Sequence, residues 1–486
     1  MNIIEQINQL HEDDEHEKII EIITKIPSDK MNAELFSLLA RAYNNTGNYD
    51  KALSNLMYIR EEGINDALWN FRVGYAYYYK GYMKNAEMYF KKAYDLGDKD
   101  AYNFYMIFSE NKDDGINFEE RVNKFWKWFY ENEKIISDYI DKKSSMSSDE
   151  VIEFVSNGVS LISNNLSFEF GGNYEFTFTV EGKEYLFYLT PRIVSAMPDK
   201  LKGKWKFFPY MQNNNVENFN FNMYDNNLSF KEILVSAEFD ADSKLFNCKF
   251  YNEKLNKLEE NDVYNVFYKM LDISIGENIS HLYIGDCFKS DKKLDDMIDL
   301  TKLYDFIINT LKNINEDKEI ILDPINRFTV YQFKYNSQAD RVLYREDIII
   351  GNTCYMELIY DYIHYNVNSI VNISKMGARA AYLVYYISDN KDNNFDSEMI
   401  LNERNKITDE LESVMGKKGS GEEIGIILGN ALGVTCAYID LLLYNQDEFI
   451  KRAKEVLKNY NYEFRLFKFH KYDTIAKMTE IFNSEF

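Results

Sequence analysis

Proline is scarce, with 5 residues in a chain of 486, where about 5% is usual. Proline-rich linkers are therefore excluded. Cysteine is scarcer still: Cys248, Cys287, Cys354 and Cys436 stand far apart and none forms a CxxC pair, so no zinc or redox motif is built on them and reduced, mostly buried thiols are expected. Positive charge is short as well. Lys and Arg number 56 against 79 Asp and Glu, a net charge of −23. A chain that releases few counterions is not built for nucleic acid or an anionic membrane surface. No uncharged apolar run reaches membrane-spanning length. The best stretch, 424–444, is interrupted by Gly425, Gly429, Asn430, Gly433 and Asp440, so no span is expected. The start, Met1-Asn2-Ile3-Ile4-Glu5-Gln6, has neither the basic nor the apolar region of a signal peptide, and a cytoplasmic location is expected.

Catalytic signatures are missing too. There is no HExxH, no Walker loop, no GxGxxG after a strand and no GxSxG elbow. Gly416-Lys417-Lys418-Gly419-Ser420-Gly421 is rich in glycine, but its order is not that of a Walker loop. It reads as a connection after a helix. Of the five histidines, His11 and His16 flank the acidic run Glu12-Asp13-Asp14-Glu15 and read as part of a solvated loop. His364 has Asp361 one helical turn before it, while His281 and His470 have no ligand-like neighbour. No catalytic residue, cofactor or metal is expected.

Aromatic residues are plentiful, with 34 Phe, 39 Tyr and 4 Trp. So much ring area argues for folded domains with large cores, and the length suggests about three. A self-comparison shows a period of 34. Ala33, Ala40, Tyr43, Gly47 and Ala52 recur as Ala67, Gly74, Tyr77, Gly81 and Ala86. Small residues at these positions let paired helices approach, and Gly47 and Gly81 suit the turns between them. Ala101 opens a third copy, which fades after Asn111.

This pattern resembles the tetratricopeptide repeat, and the resemblance implies a groove that binds a protein or peptide partner. Its groove positions correspond to Glu34, Ser37, Arg41, Asn44 and Asn45, then to Leu68, Phe71, Tyr75, Tyr78 and Tyr79. The family's carboxylate clamp needs Lys and Asn where Ser37, Arg41, Phe71 and Tyr75 stand, so that clamp is not carried over. Arg41, Asn44, Phe71, Tyr75, Tyr78 and Tyr79 remain as partner-contact candidates. The aromatic strip is expected to face the groove, covered either by a partner or by the chain's own next segment.

Beyond about 119 the period turns to alternation. A Trp-rich helix with Trp126 and Trp128 leads to a capped helix from 149 to about 162. Strands are expected near 166–170, 174–180, 184–189, 205–208, 219–224, 230–237 and 244–251. Helix 261–273, strand 280–284 and helix 293–313 follow. Phe125-Trp126-x-Trp128-Phe129, Val194-x-Ala196-x-Pro198, Trp205-x-Phe207 and Leu271-Asp272-x-x-x-Gly276-Glu277 resemble an uncharacterised family of bacterial cytoplasmic proteins, which implies no chemistry. Beyond 326, strands are expected at 327–335, 342–344, 381–387, 424–428, 434–441 and 462–469. Helices are expected at 356–367, 398–415 and 447–460. Arg345-Glu346-Asp347-Ile348 and Leu428-Gly429-x-Ala431-x-Gly433 again resemble an uncharacterised bacterial family.

The expected architecture is α+β and multidomain. Tetratricopeptide-like helices occupy 1–118, and two α+β domains with mainly antiparallel sheets occupy 119–318 and 319–486. The expected function is a non-enzymatic scaffold that binds a protein or peptide partner. The alternative is an enzyme with a carboxylate-lined site between the sheet domains, drawing on Asp272, Glu277, Glu346, Asp347 and Asp440. A basic pocket, if present, is expected around Arg345, Lys334 and Arg341.

Overall fold

The computed structural model describes residues 3–27, 30–110, 115–214, 216–217, 219–224, 226–314, 322–333, 344–364, 366–387 and 397–471. The chain combines an N-terminal run of helices with mainly antiparallel sheets. Among the described residues up to 110 there is no strand. Helices Ala33–Asn45 and Ala67–Tyr79 are the same length and begin 34 residues apart, as do helices Tyr49–Tyr58 and Met83–Asp95. Asn32 and Asp66 cap the two longer helices, accepting N–H bonds from Leu35 and Trp69. Ala40, Ala52 and Ala86 are buried at the crossings. A Cβ on Gly74 would lie 2.9 Å from the Phe90 ring, so this crossing admits only glycine. His11 and His16 belong to helices Ile3–Glu12 and His16–Thr24, not to the loop expected for them.

Beyond the array, β1 (Ser167–Gly171), β2 (Glu175–Thr179) and β3 (Lys206–Phe208) form a small sheet, with β3 parallel to β2. It packs on helices Phe118–Ile140 and Ser148–Val159, the second opened by a Ser147–Glu150 capping box. Trp126 and Trp205 are buried there, and Trp128 packs against Gly158, where no side chain fits. The run 184–189 is helical rather than extended: helix Leu186–Ser195 includes Pro191. A short, uniformly apolar run does not reveal its period.

Strands β4 (Asn220–Met223) and β5 (Asn226–Ser229) form a ribbon. Strands β6 (Leu234–Asp240), β7 (Leu245–Tyr251), β8 (Ile284–Lys289) and β9 (Ile298–Asp299) form a sheet of order β8-β7-β6-β9. This sheet packs on helices Glu260–Ile275 and Leu303–Asn313. Residues 280–283 lie in helix Glu277–Tyr283, where a strand was expected.

The last sheet is six-stranded and antiparallel, in the order β10-β11-β13-β14-β12-β15. Its strands are β10 (Thr329–Gln332), β11 (Ile348–Thr353), β12 (Arg379–Tyr386), β13 (Gly425–Gly433), β14 (Cys436–Leu443) and β15 (Phe464–Lys468). Residues 429–433, read from the sequence as a loop, continue β13. Gly429 is required there because a Cβ would lie 2.1 Å from the Asn352 carbonyl oxygen of β11. Helices Ser397–Met415 and Gln446–Leu457 cover one face. The expected strand at 342–344 falls mostly outside the described residues.

The cores do not follow a boundary at 318. One continuous core joins residues 118–210 to residues 325–469 across the second face of the six-stranded sheet, whereas residues 216–311 hold a core of their own. The middle unit is thus an insertion within a larger sheet domain. The array joins that domain through helix Asp100–Glu110, which meets helix Asn368–Lys375. At this junction the Phe118 N–H reaches the Gly377 carbonyl at 2.9 Å.

Candidate functional site

The helical array carries a hollow of about 320 Å³ on its groove side. Helix Ala33–Asn45 contributes Arg41, Asn44 and Asn45, and helix Ala67–Tyr79 contributes Leu68, Phe71, Arg72 and Tyr75. His11 and Asp100 close its ends. Arg41, Asn44, Phe71 and Tyr75, four of the six residues expected to meet a partner, thus come together. The other two do not line this hollow. Tyr78 is 2% exposed and packs edge-on against Phe104 at 5.5 Å. Tyr79 stacks on Tyr49 at 5.4 Å. The aromatic strip is therefore covered partly by the array's own helix Asp100–Glu110, since Phe71 and Tyr75 also meet Phe104 at 5.8 and 6.0 Å. Their remaining surface stays open to the hollow.

The polar side of this hollow is unusual. Arg72 is 6% exposed, donates to the Ser37 hydroxyl, and leaves its Nε–H unpartnered. Arg41 reaches Asn8 at 3.3 Å and also leaves its Nε–H unpartnered. Asn44 donates to the Arg72 carbonyl at 3.0 Å, while its own amide oxygen accepts nothing. Burial, reinforced by the charge of Arg41, pushes the Arg72 guanidinium down to about 10. Burial and the nearby Arg41 likewise push the His11 imidazole down. Two arginines thus border one small hollow, each with an unpartnered Nε–H, and the charges of Asp66 and Asp98 offset only part of the burial and repulsion felt by Arg72. Arg72 and His11 were not legible as site residues. The available signal was a lone arginine on an otherwise apolar helix flank, beside Trp69 and Val73.

The carboxylates proposed for an enzyme site are dispersed. Asp440 and Arg345 pair inside the sheet domain, with Nη2 to Oδ2 at 3.2 Å, and the Arg345 guanidinium lies 4.4 Å from the Phe469 ring centroid. Arg345 is therefore buried and neutralised and offers no basic pocket; Lys334 and Arg341 lie outside the described residues. Asp347 accepts from the Thr435 and Cys436 N–H groups at 2.9 and 3.0 Å and holds the β13–β14 turn. Glu346 pairs with Lys471 at 2.8 Å.

Asp272 and Glu277 do share a cleft of about 710 Å³ between the inserted unit and the sheet domain. Glu277 is consumed there: it accepts from Val180, Glu181 and Met211 N–H groups at 3.1, 2.9 and 2.8 Å. Gly276 makes the approach possible, with φ +87° and no room for a Cβ beside Asn213. Asp272 lines the cleft and is half-buried. Burial, with a further push from Glu277, raises its carboxyl to about 6 against the pull of the Ser280 hydroxyl.

No family model, curated protein or solved structure matches the chain. The chemistry must be read from these residues alone.

The glycine-rich loop at 416–421 borders a third hollow of about 720 Å³. Its Gly419 N–H donates to the carboxylate of Glu423, and Lys418 pairs with Asp323 at 3.0 Å. An internal carboxylate thus stands where an anion would be held. All four cysteines are buried and free. Among the described residues, no group of three or more His, Cys, Asp or Glu is placed to hold a metal ion, and no helix is long and apolar enough to cross a membrane.

Proposed function

We propose that the N-terminal helices form a tetratricopeptide-like scaffold whose groove binds a protein or peptide partner, and that the partner presents a carboxylate to Arg41 and Arg72. One observation carries this reading: both arginines border the same hollow with an unpartnered Nε–H. A planar guanidinium binds a carboxylate through two parallel N–H bonds. Leu68, Phe71 and Tyr75 also line the hollow, so the carboxylate belongs next to an apolar side chain. The net charge of −23 disfavours anions at long range. Screening confines that field to about 8 Å at physiological salt, and at contact Arg41 and Arg72 stand against a single carboxylate in the lining, that of Asp100.

The test is selection of short peptides from a random library on the full chain. The reading expects enriched peptides with Asp, Glu or a free C-terminus beside an apolar residue. Amidation or Asp→Asn should weaken them at least about tenfold, the worth of one charge-assisted bond. Arg41→Gln with Arg72→Gln should do the same. Peptides bound equally well by that double variant would overturn the reading.

A further inference from the structure

We propose that the cleft between the inserted unit and the sheet domain is a second binding site, for a small organic cation with a flat apolar body. The site is built by two separately packed units. Helices Glu260–Ile275 and Glu277–Tyr283 of the inserted unit supply Tyr268, Lys269, Asp272 and His281, and the facing wall comes from Glu181 and Phe187. The units are pinned at the edge of this cleft by Glu277, so the cavity is a fixed feature of the fold.

The charges in the cleft do not balance. Three carboxylates line it, those of Glu181, Asp272 and Glu277, against one ammonium, that of Lys269. Glu277 has its oxygens filled by backbone N–H groups, and Glu181 stands at the exposed rim and pairs with Lys183 at 3.5 Å. Asp272 is left as the half-buried carboxylate with an open side. Its two charged neighbours act in opposite senses, Glu277 repelling its charge and Lys269 attracting it. An incoming cation relieves the repulsion and competes with Lys269. The net charge of −23 favours the same sign of ligand, because a negative field concentrates cations in a cleft.

The apolar lining specifies the rest of the molecule. His281 lies flat on Phe187, centroids 4.5 Å apart and planes 17° apart, and Tyr268 is 40% exposed at the cleft. Flat faces of this kind accept an aromatic or amidine-like body by stacking and by cation–π attraction. The volume of about 710 Å³ suits one compact molecule.

The experiment uses the full chain at neutral pH and reads calorimetric binding of benzamidine and benzylamine, with benzoate and benzyl alcohol as matched controls. The two cations should bind and the controls should not. Asp272→Asn should weaken cation binding at least about tenfold, the cost of losing one charge-assisted contact. Lys269→Gln should strengthen it, because the competing ammonium is gone. These opposite responses separate a binding role from general damage to the fold. Cation binding unchanged in both variants, absence of cation binding to a folded wild-type chain, or binding of benzoate in preference to the cations would each overturn the proposal.

Discussion

Arg345 and Asp440 face each other inside the six-stranded sheet domain, and the guanidinium lies within 5.5 Å of the ring centroids of Tyr362, Tyr382 and Tyr438. Arg345 adopts φ +69° and gives its own backbone N–H to the Tyr438 hydroxyl. A pair so enclosed is structural, and its two charges need one another. Asp440→Asn strands a buried guanidinium and should cost about 3–5 kcal/mol. Denaturant unfolding measures this. A loss below about 1 kcal/mol, the worth of an exposed pair, would mean that the pair is hydrated.

Arg72 is buried beside the hollow of the helical array with an unpartnered Nε–H. Arg72→Met keeps the aliphatic stem against the array and removes a buried guanidinium whose Nε–H has no partner, at the loss of its bond to the Ser37 hydroxyl. Without ligand the variant should be more stable by about 1 kcal/mol. A higher melting temperature together with lost carboxylate binding is the expected pair of results. Unchanged stability would show that water already satisfies the Nε–H.

Glu184 accepts the Glu357 N–H and lies close to the Glu357 and Asp361 carboxylates; burial and these two neighbours raise its carboxyl to about 8. In the folded state this proton is held far above the ordinary glutamate range. The stabilisation is therefore complete below about pH 4.5 and declines as pH rises through 8. Because Glu184 is only half-buried, the loss by pH 9 should be on the order of 2 kcal/mol. Glu184→Gln should flatten the fall in melting temperature between pH 6 and 9, in which no other change is made. A slope that survives the substitution would place its origin elsewhere.

Ala86 is fully buried where helix Met83–Asp95 crosses its neighbour. Ala86→Leu should overpack the crossing and cost about 1–3 kcal/mol. Thermal unfolding of the full chain, followed at the array's Trp69, checks it. A melting temperature equal to that of the wild type would mean that the helices can separate without loss.

How much was legible depended on the kind of signal. The helical array was readable because its small residues repeat at a fixed interval, and each repeat uses Ala40 or Gly74, Ala52 or Ala86, for the same close approach. Hairpin β1–β2 was readable because Phe168, Phe170, Phe176 and Phe178 alternate around Gly171-Gly172. The helix at 186–195 was not, because its first four residues are all buried and carry no period. Strand β13 was obscured by Gly429 and Gly433, whose glycines answer to neighbours far away in sequence, Asn352 and Asp347. Arg41, Asn44, Phe71 and Tyr75, which line one hollow, followed from repeat position alone. Arg72 did not, because its importance rests on what fails to reach its Nε.

The insertion of residues 216–311 has a consequence for synthesis. The Trp-rich helices and β1–β3 emerge early and pack Phe125, Trp126 and Phe207 among their own rings, yet Tyr444 and Tyr355, which cover Phe118 and Tyr188, come only after the insertion. At about 5–20 residues per second, the ribosome needs several seconds to supply the insertion, which can close its own core while Phe118 and Tyr188 wait without their late partners. A fragment ending at 318 should therefore aggregate, whereas 213–314 should fold alone. Whatever shields Phe118 and Tyr188 during that interval acts before the protein can meet any ligand.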